Sequence, residues 1–186
     1  MTNIAIQRCA WAQNNLLMQH YHDEEWGKPQ HDARMLWEML MLEGFQAGLS
    51  WITVLRKREQ FRKVFAGFDP VSVAQFSEED IQRLMDDEGI IRSRAKIEAT
   101  ISGAKIYCDM MAQGESFSDF CWSFTQNKVL KGDGQHVPVF TPLSVEISKA
   151  LKRRGFKFVG PTIVYAWMQA VGIVNDHSTH CFCREC

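Results

Sequence analysis

Cysteine and histidine residues are concentrated at the two ends of this chain, and that distribution constrains its fold more than any other feature. The members of the group are Cys9, His20, His22, His177, His180, Cys181, Cys183 and Cys186. His177 and Cys181 are four residues apart, so one helical turn places both side chains on the same face. If residues from both groups bind one ion, the two ends of the chain must meet in the folded protein.

A metal ion is the expected reason for this clustering. No basic segment followed by an apolar one opens the chain, and no apolar run approaches the roughly 18 residues of a membrane span, so a cytosolic protein is expected. In a reducing compartment, such clusters indicate metal binding more often than disulfides. Cys9 and His22 can join His177 and Cys181 in a tetrahedral zinc shell without an open position, which is typical of a structural site. Spacing alone does not select four ligands, and free cysteines near a frayed terminus are the alternative.

Helical periodicity recurs along the chain, whereas a convincing set of paired strands does not. Asp32 is placed to cap a strongly apolar helix that runs to about Leu42. Hydrophobic residues make up 46% of the 186 residues, enough for one packed domain or two small lobes that share a core. Residues 126–142 lack a helical period and predict a long exposed loop. The fold class predicted for residues 1–186 is all-α.

The segment from Glu43 to Trp51 is the first candidate site. Glu43 directly follows the apolar helix, so it is expected to be partly desolvated, which raises its pKa and strengthens its contact with a cation. Aromatic residues near it in the predicted arrangement include Trp11, Tyr21 and Trp26. Ring faces beside a desolvated carboxylate suit a flat cation, with a cation–π contribution of roughly 0.5–2 kcal/mol. The alternative is a turn between two helices with a solvated glutamate and aromatic residues in the core.

A basic turn near the C-terminal end is the second candidate site. The formal net charge is −1, so binding to nucleic acid would require a local patch. Such a patch is formed by Lys149, Lys152, Arg153, Arg154 and Lys157. Between these residues and a helix beginning at Pro161, the chain turns through Gly155 and Gly160, which brings backbone N–H groups to a helix N-terminus suited to phosphate. The alternative is an ordinary helical hairpin with a solvated basic face.

Several long motifs together resemble the bacterial 3-methyladenine DNA glycosylase I family. They are Cys9-Ala10-Trp11, residues 21–27, residues 42–55, residues 152–160, and Asn175-Asp176-His177 with the cysteines that follow. The resemblance covers about residues 8–183. It implies a helix-hairpin-helix DNA glycosylase fold in which two helical lobes share a base-binding cleft and a structural zinc site joins the N- and C-terminal segments. It also implies a monomer that acts on double-stranded alkylated DNA in the bacterial cytoplasm, at the nucleoid.

The resemblance also assigns individual residues. The implied zinc ligands are Cys9, His22, His177 and Cys181, with His180 and Cys183 as bystanders. Glu43, Tyr21, Trp26 and Trp51 are assigned to the base pocket, and Gly155, Lys157 and Gly160 to the DNA backbone. Two departures from the family pattern stand out. Met18 replaces a second pocket tyrosine, and Asn175 occupies the position of the catalytic aspartate of other helix-hairpin-helix glycosylases, with Asp176 displaced by one residue.

The expected activity is hydrolysis of the N-glycosidic bond of 3-methyladenine after the nucleotide is flipped out of the duplex. Glu43 is expected to act chiefly in recognition of the cationic base, with activation of water as a secondary role. A non-catalytic helix-hairpin-helix DNA-binding module with structural zinc is the main alternative. A zinc hydrolase is a third possibility, and it requires an open metal position.

Overall fold

The structure is a computed structural model that describes residues 6–185, and helices dominate that range. The α-helices are α1 (Leu16–Glu24), α2 (Ala33–Gln46), α3 (Trp51–Val64), α4 (Pro70–Val73), α5 (Glu78–Asp86), α6 (Arg94–Ala112), α7 (Phe117–Ser123), α8 (Pro142–Arg153) and α9 (Pro161–Ala170). Short 3₁₀ turns lie at Ala10–Ala12, Ala66–Phe68 and Phe182–Glu185. The predicted helical class is therefore confirmed. Cys186, one member of the Cys/His group, lies outside the described residues.

Side-chain caps determine where several helices begin. The Asp32 carboxylate accepts a hydrogen bond from the Met35 amide at 2.8 Å and opens α2, as predicted. Ser77 and Asp80 form a reciprocal capping box at the start of α5. Ser50 is the N-cap residue of α3, but its hydroxyl pairs with the Thr53 hydroxyl at 2.8 Å and caps no backbone amide.

Helix α2 forms the centre of the core and packs against α3, α6, α7 and α9. It continues to Gln46, beyond the end predicted at Leu42, so Glu43 lies in its last turn and not in the following loop. The extension is explained by Phe45, which is fully buried and packs against Phe61 of α3 with ring centroids 4.6 Å apart. This tertiary contact outweighs the local break that Gly44 suggests.

One short pair of strands was missed by the sequence interpretation. Strand β1 (Leu130–Lys131) pairs in parallel with β2 (Val174–Asn175). Two residues are too few to produce a recognisable alternation of polar and apolar side chains. The pair anchors the predicted loop to the C-terminal segment, while residues such as Val139 in that loop are exposed, as expected. No helix between residues 6 and 185 is long and apolar enough to cross a membrane.

Candidate functional site

The N- and C-terminal segments meet at a buried cluster of four sulfur and nitrogen donors. Cys9 precedes the first 3₁₀ turn, His22 lies on α1, and His177 and Cys181 follow β2. All four side chains are buried, and their donor atoms lie within 4.8 Å of one another. The Sγ atom of Cys181 is 3.3 Å from His22 Nε2 and 3.4 Å from His177 Nδ1, and Cys9 Sγ is 3.6 Å from His177 Nδ1.

These separations fit a tetrahedral metal ion. Zinc bonds of about 2.3 Å to sulfur and 2.0–2.1 Å to nitrogen, at tetrahedral angles, separate sulfur from nitrogen by about 3.5 Å. Two thiolates and two imidazoles are also a typical donor set for that ion. Four members of the larger Cys/His group meet here, whereas His20 and His180 are exposed and the buried Cys183 thiol contacts the His22 carbonyl oxygen at 4.0 Å. The described residues contain a cluster that could hold a metal ion.

A second layer of contacts orients these donors. Asp23 contacts His22 Nδ1 at 2.8 Å and is itself held by Arg8 at 2.7 Å. His177 Nε2 lies 3.1 Å from the Trp26 carbonyl oxygen, which accepts its hydrogen and leaves Nδ1 free to face the cluster. Burial opposes ionisation of Cys9, but hydrogen bonds with His177 and His22 lower the pKa of its thiol to about 5. Burial instead raises the pKa of the Cys181 thiol. Oriented donors with a readily ionised thiol such as Cys9 are characteristic of metal sites.

A cavity of about 340 Å³ lies next to this cluster, and four aromatic side chains contribute to its walls. Its rings come from the four tryptophan and tyrosine residues singled out in the sequence: Trp11, Tyr21, Trp26 and Trp51. The Tyr21 and Trp51 ring centroids are 5.4 Å apart, and those of Trp11 and Trp26 are 5.1 Å apart. Met18 also lines the cavity, so a flexible thioether side chain forms part of the wall beside the rings.

The cluster and the cavity share a wall. The Trp26 ring packs edge-on against the His177 ring with centroids 4.7 Å apart, and Trp11 packs similarly against His22 at 5.2 Å. The backbone of Trp26 is held as well, since its carbonyl accepts from His177. Any ligand that fixes the two histidines consequently fixes two sides of the aromatic cavity.

Glu43 is the acidic residue among those that line this cavity. Its side chain projects from the last turn of α2 and is only 3% exposed. Burial raises the pKa of Glu43 to about 8. Its Oε2 atom has no hydrogen-bond partner among the described residues, and neither does the indole nitrogen of Trp51. Buried polar atoms are nearly always paired in folded proteins, so two orphans in one cavity indicate a ligand that pairs with them.

Glu43 is the carboxyl group that lines the cavity, whereas the nearby Glu25 is paired with an arginine. Glu25, which lies close in sequence to the aromatic residues, forms two hydrogen bonds with Arg58 at 2.6 and 2.7 Å. Burial raises the pKa of Tyr21 well above its ordinary value, with the nearby Glu43 as a further cause, so the phenol stays neutral. The cavity therefore offers ring faces, a neutral hydroxyl and one desolvated carboxyl group.

The predicted basic turn joins α8 to α9. Gly155 has a φ of +99°, which favours glycine, and Gly160 is the N-cap residue of α9. Phe156 and Val159 are buried anchors, and the Ser148 hydroxyl donates to the Val159 carbonyl at 2.6 Å. The exposed basic side chains around it are Lys149, Lys152, Arg153 and Lys157. Arg154 differs from the prediction, because its guanidinium is engaged by Glu115 at 2.5 and 2.8 Å.

The turn is connected to the helix that carries Glu43. The Lys96 ammonium on α6 donates to the carbonyls of Phe45 and Ala47 at 2.8 and 2.7 Å, and it lies 5.9 Å from the Phe158 ring centroid. A lysine at the end of a helix satisfies carbonyl groups that have no partner within the helix. Lys96 was not identified from the sequence, since it lies far from the motifs it joins.

Two further residues of the sequence interpretation can now be placed. Asn175 does not line the aromatic cavity, and its Oδ1 accepts from the His177 amide at 3.2 Å. Asp176 is buried and accepts hydrogen bonds from Tyr165 and Gln169. Gln169 does line the cavity and was overlooked, although a glutamine within the apolar run of α9 is an unusual residue there.

Comparison with known proteins places the chain in a family. The model of the methyladenine glycosylase family matches residues 11–184. DNA-3-methyladenine glycosylase 1 of Escherichia coli (strain K12) is 52% identical over 181 residues, which cover 96% of this chain and 97% of that protein. A crystal structure of 3-methyladenine DNA glycosylase I superimposes with a TM-score of 0.93 at 53% identity, covering 95% of this chain and 99% of the other.

A second solved structure, of a 3-methyladenine DNA glycosylase I variant in complex with 3-methyladenine, matches with a TM-score of 0.88 at 35% identity. The match covers 94% of this chain and 96% of that one. The chain belongs to the methyladenine glycosylase family, and the resemblance seen in its sequence motifs is confirmed.

Proposed function

We propose that this chain is a DNA-repair glycosylase that hydrolyses the N-glycosidic bond of 3-methyladenine in alkylated double-stranded DNA. The observation that carries the proposal is the buried Glu43 carboxyl group, unpaired and surrounded by aromatic rings. Family membership and the 3-methyladenine complex of a relative support the same substrate. The cavity of about 340 Å³ is at the lower end of the range for small-molecule pockets, which suits one flipped base.

Recognition in this cavity depends on charge. N3-methylation gives the adenine of DNA a positive charge, while undamaged adenine is neutral. With a pKa of about 8, Glu43 is mostly protonated in the free protein at pH 7. A cationic base next to it lowers that pKa and favours the carboxylate. The rings of Tyr21, Trp26 and Trp51 then contact the faces of the base, and Glu43 accepts hydrogen bonds from its edge.

The chemical step needs little help because the leaving group departs as a neutral base. Water attacks the sugar as it acquires oxocarbenium character. A contact that stabilises only the cationic base favours bound substrate over the transition state, in which the charge moves to the sugar. Glu43 is therefore assigned chiefly to recognition, with orientation of the attacking water as a secondary role.

We further propose that Cys9, His22, His177 and Cys181 hold a structural zinc ion. With four protein ligands the shell is complete, so the ion supplies no catalytic water and its role is structural. Through His22 and His177 it keeps the Trp11 and Trp26 rings in the cavity wall. The donor separations of 3.3–3.6 Å support this assignment. The complete shell also argues against a zinc hydrolase.

DNA binding is assigned to α8, the turn and α9 as a helix-hairpin-helix element. Gly155 and Gly160 allow close approach of a phosphate to backbone amides, and Lys157 adds positive charge. A Cβ atom at Gly160 would meet nothing within 4 Å, so this edge is open to a ligand. In this proposal residues 1–186 form one monomeric unit whose two helical lobes share the base-binding cleft.

Release of free bases from methylated DNA tests the proposed function. The protein is expected to release 3-methyladenine, with excision strongly reduced in Glu43→Gln. A non-catalytic DNA-binding module, which family membership does not favour, would bind the same duplex and release nothing. Bases released by the wild-type protein and retained by the variant would exclude that alternative.

A further inference from the structure

Asp176 is a buried carboxyl group that the proposed reaction leaves without a task. It lies directly after β2 and lines a second cavity of about 650 Å³. Its Oδ2 atom accepts hydrogen bonds from the Tyr165 hydroxyl at 2.5 Å and from Gln169 Nε2 at 2.8 Å. Both donors come from α9, four residues apart and thus on one face. Hydrogen bonds to a carboxylate are short and strong, so they restrain the groups that make them.

Gln169 extends this arrangement into the aromatic cavity. It is 8% exposed and lines the cavity together with Glu43 and Trp51. A glutamine amide has a donating NH₂ end and an accepting carbonyl end. A carboxylate only accepts, so the contact with Asp176 requires the NH₂ end on that side. The carbonyl oxygen Oε1 is left as the group that Gln169 offers to the cavity.

We propose that Asp176 is a positioning residue: it fixes the Gln169 amide so that its carbonyl oxygen reads the exocyclic amino group of the flipped base. The inference rests on the proposed glycosylase function and adds a second element of recognition to it. The 6-amino group carries two hydrogens and can donate to both residues: Glu43 adds selection for positive charge, whereas the neutral Gln169 carbonyl selects only the N–H donor at position 6 of the purine.

This arrangement discriminates between methylated purines. A 6-amino purine such as 3-methyladenine donates to the Gln169 oxygen. A 6-oxo purine such as 3-methylguanine places an acceptor against an acceptor, and both are then unpaired in a buried site. Sites that hydrogen-bond a substrate group reject analogues lacking it, because the buried protein group loses its partner. Charge alone cannot supply this selectivity, since methylation at N3 makes both bases cationic in DNA.

Asp176→Asn tests the proposal directly. The asparagine side chain both donates and accepts, so the Gln169 amide is free to turn over and present its NH₂ group to the cavity. The measurement is the ratio of 3-methyladenine to 3-methylguanine released from one methylated duplex, relative to the wild-type protein. We expect the ratio to fall by about fivefold to tenfold. Gln169→Met should lower it to a similar extent, and the double variant should add little.

Tyr165→Phe is the matched control. It removes the other donor to the same Asp176 oxygen but leaves the Gln169 contact in place. Its thermal stability should fall while the release ratio stays within about twofold of the wild-type value. Because His177 follows Asp176 in the chain, metal content and unfolding temperature are measured for every variant. A ratio lowered equally in Tyr165→Phe would assign the effect to packing and overturn the positioning role.

The remaining outcomes are also decisive. An unchanged ratio in a folded, metal-loaded Asp176→Asn protein overturns the inference. If that variant does not fold, an unchanged ratio in Gln169→Met does the same. A wild-type protein that releases no methylated base would instead defeat the proposed function. In that case, the affinities of the wild-type protein and of Gln169→Met for free 3-methyladenine and free 3-methylhypoxanthine still test whether the Gln169 amide reads the 6-amino group. If both proteins prefer 3-methyladenine to the same extent, the amide does not read that group.

Discussion

The Cys/His cluster and the aromatic cavity share a wall, but they differ in whether their buried polar atoms have hydrogen-bond partners. In the cluster, the His22 and His177 rings each have a partner for the nitrogen that faces away from the other donors. In the cavity, Glu43 and Trp51 each keep a buried polar atom without a partner. The first region is organised to stabilise the fold. The second retains a free-energy cost that only a ligand can offset, which is expected where function competes with stability.

Loss of the cluster should have the largest effect. His177→Ala or removal of metal by a chelator should lower the free energy of unfolding by at least about 5 kcal/mol, since binding a structural ion is coupled to folding. Excision should fall only to the extent that folding fails. Thermal unfolding with and without chelator measures this effect, and Cys108→Ala, a half-buried thiol on α6, is the control. A metal-free preparation of unchanged stability would refute the structural role.

In the cavity, by contrast, a substitution is expected to raise the free energy of unfolding. Burial raises the pKa of Glu43 from 4.5 to about 8 in the folded protein, so the fold favours its protonated form. The Glu43 contribution to stability is full below pH 4.5 and is lost as pH rises towards 8, where the loss reaches up to about 5 kcal/mol. Glu43→Gln cannot ionise and should be more stable than the wild-type protein at pH 8. Urea unfolding at pH 4 and pH 8 measures the difference, which should nearly vanish at the lower pH.

The two regions also differ in how far the sequence alone could define them. The types of candidate donor and their location at both chain ends were predictable, because cysteine and histidine residues that cluster outside an oxidising compartment indicate metal binding more often than disulfides. Identifying the four residues that meet, and excluding the exposed His20 and His180, required the fold. The helical class and the Asp32 cap were likewise predictable from local signals.

Features that depend on distant contacts were not predictable in the same way. Glu43 lies within α2 because Phe45 packs against a ring on another helix, and the β1–β2 pair joins segments more than 40 residues apart. The role of Gln169 depends on Asp176, a contact that no local pattern indicates. Long-range packing, rather than propensity, decided each of these cases.

Measurements of excision should distinguish a role of Glu43 in recognition of the cationic base from a role in packing. We expect Glu43→Gln to lower kcat/KM for 3-methyladenine excision about 100-fold, while affinity for free 3-methyladenine changes less than about tenfold, because the released base is neutral. In the wild-type protein kcat/KM should rise with pH up to about 8, following ionisation of Glu43 in the free enzyme. That rise should be absent in the variant. Full excision by Glu43→Gln would make the unpaired carboxyl a feature without function.

Trp51→Ala should affect substrate and product alike. Stacking on an aromatic ring contributes roughly 1–3 kcal/mol per base, and it does not depend on the charge of that base. Excision and binding of free 3-methyladenine are therefore expected to weaken by similar factors. Intrinsic fluorescence titration gives the product affinity. The contrast with Glu43→Gln is the informative quantity, and equal behaviour of the two variants would remove the distinction between charge recognition and stacking.

The smallest effect is expected at the α8–α9 turn, where stability and DNA binding can be moved in opposite directions. Gly160 has a φ of −64°, which any residue adopts, and a Cβ atom there meets nothing within 4 Å. Aspartate and asparagine are both good N-cap residues, so neither substitution should destabilise α9. Aspartate, however, places a negative charge where the amides and Lys157 would receive a phosphate.

Gly160→Asp should therefore weaken binding to damaged and undamaged duplexes by about fivefold at low salt, whereas Gly160→Asn, of the same shape without the charge, should stay close to wild type. Fluorescence anisotropy over a salt series measures both, and the unfolding temperatures of the two variants should be equal to or above that of the wild-type protein. The difference between the variants should shrink as salt is raised, because it is electrostatic. Equal affinities for the aspartate and asparagine variants at low salt would place the DNA backbone on another surface of the molecule.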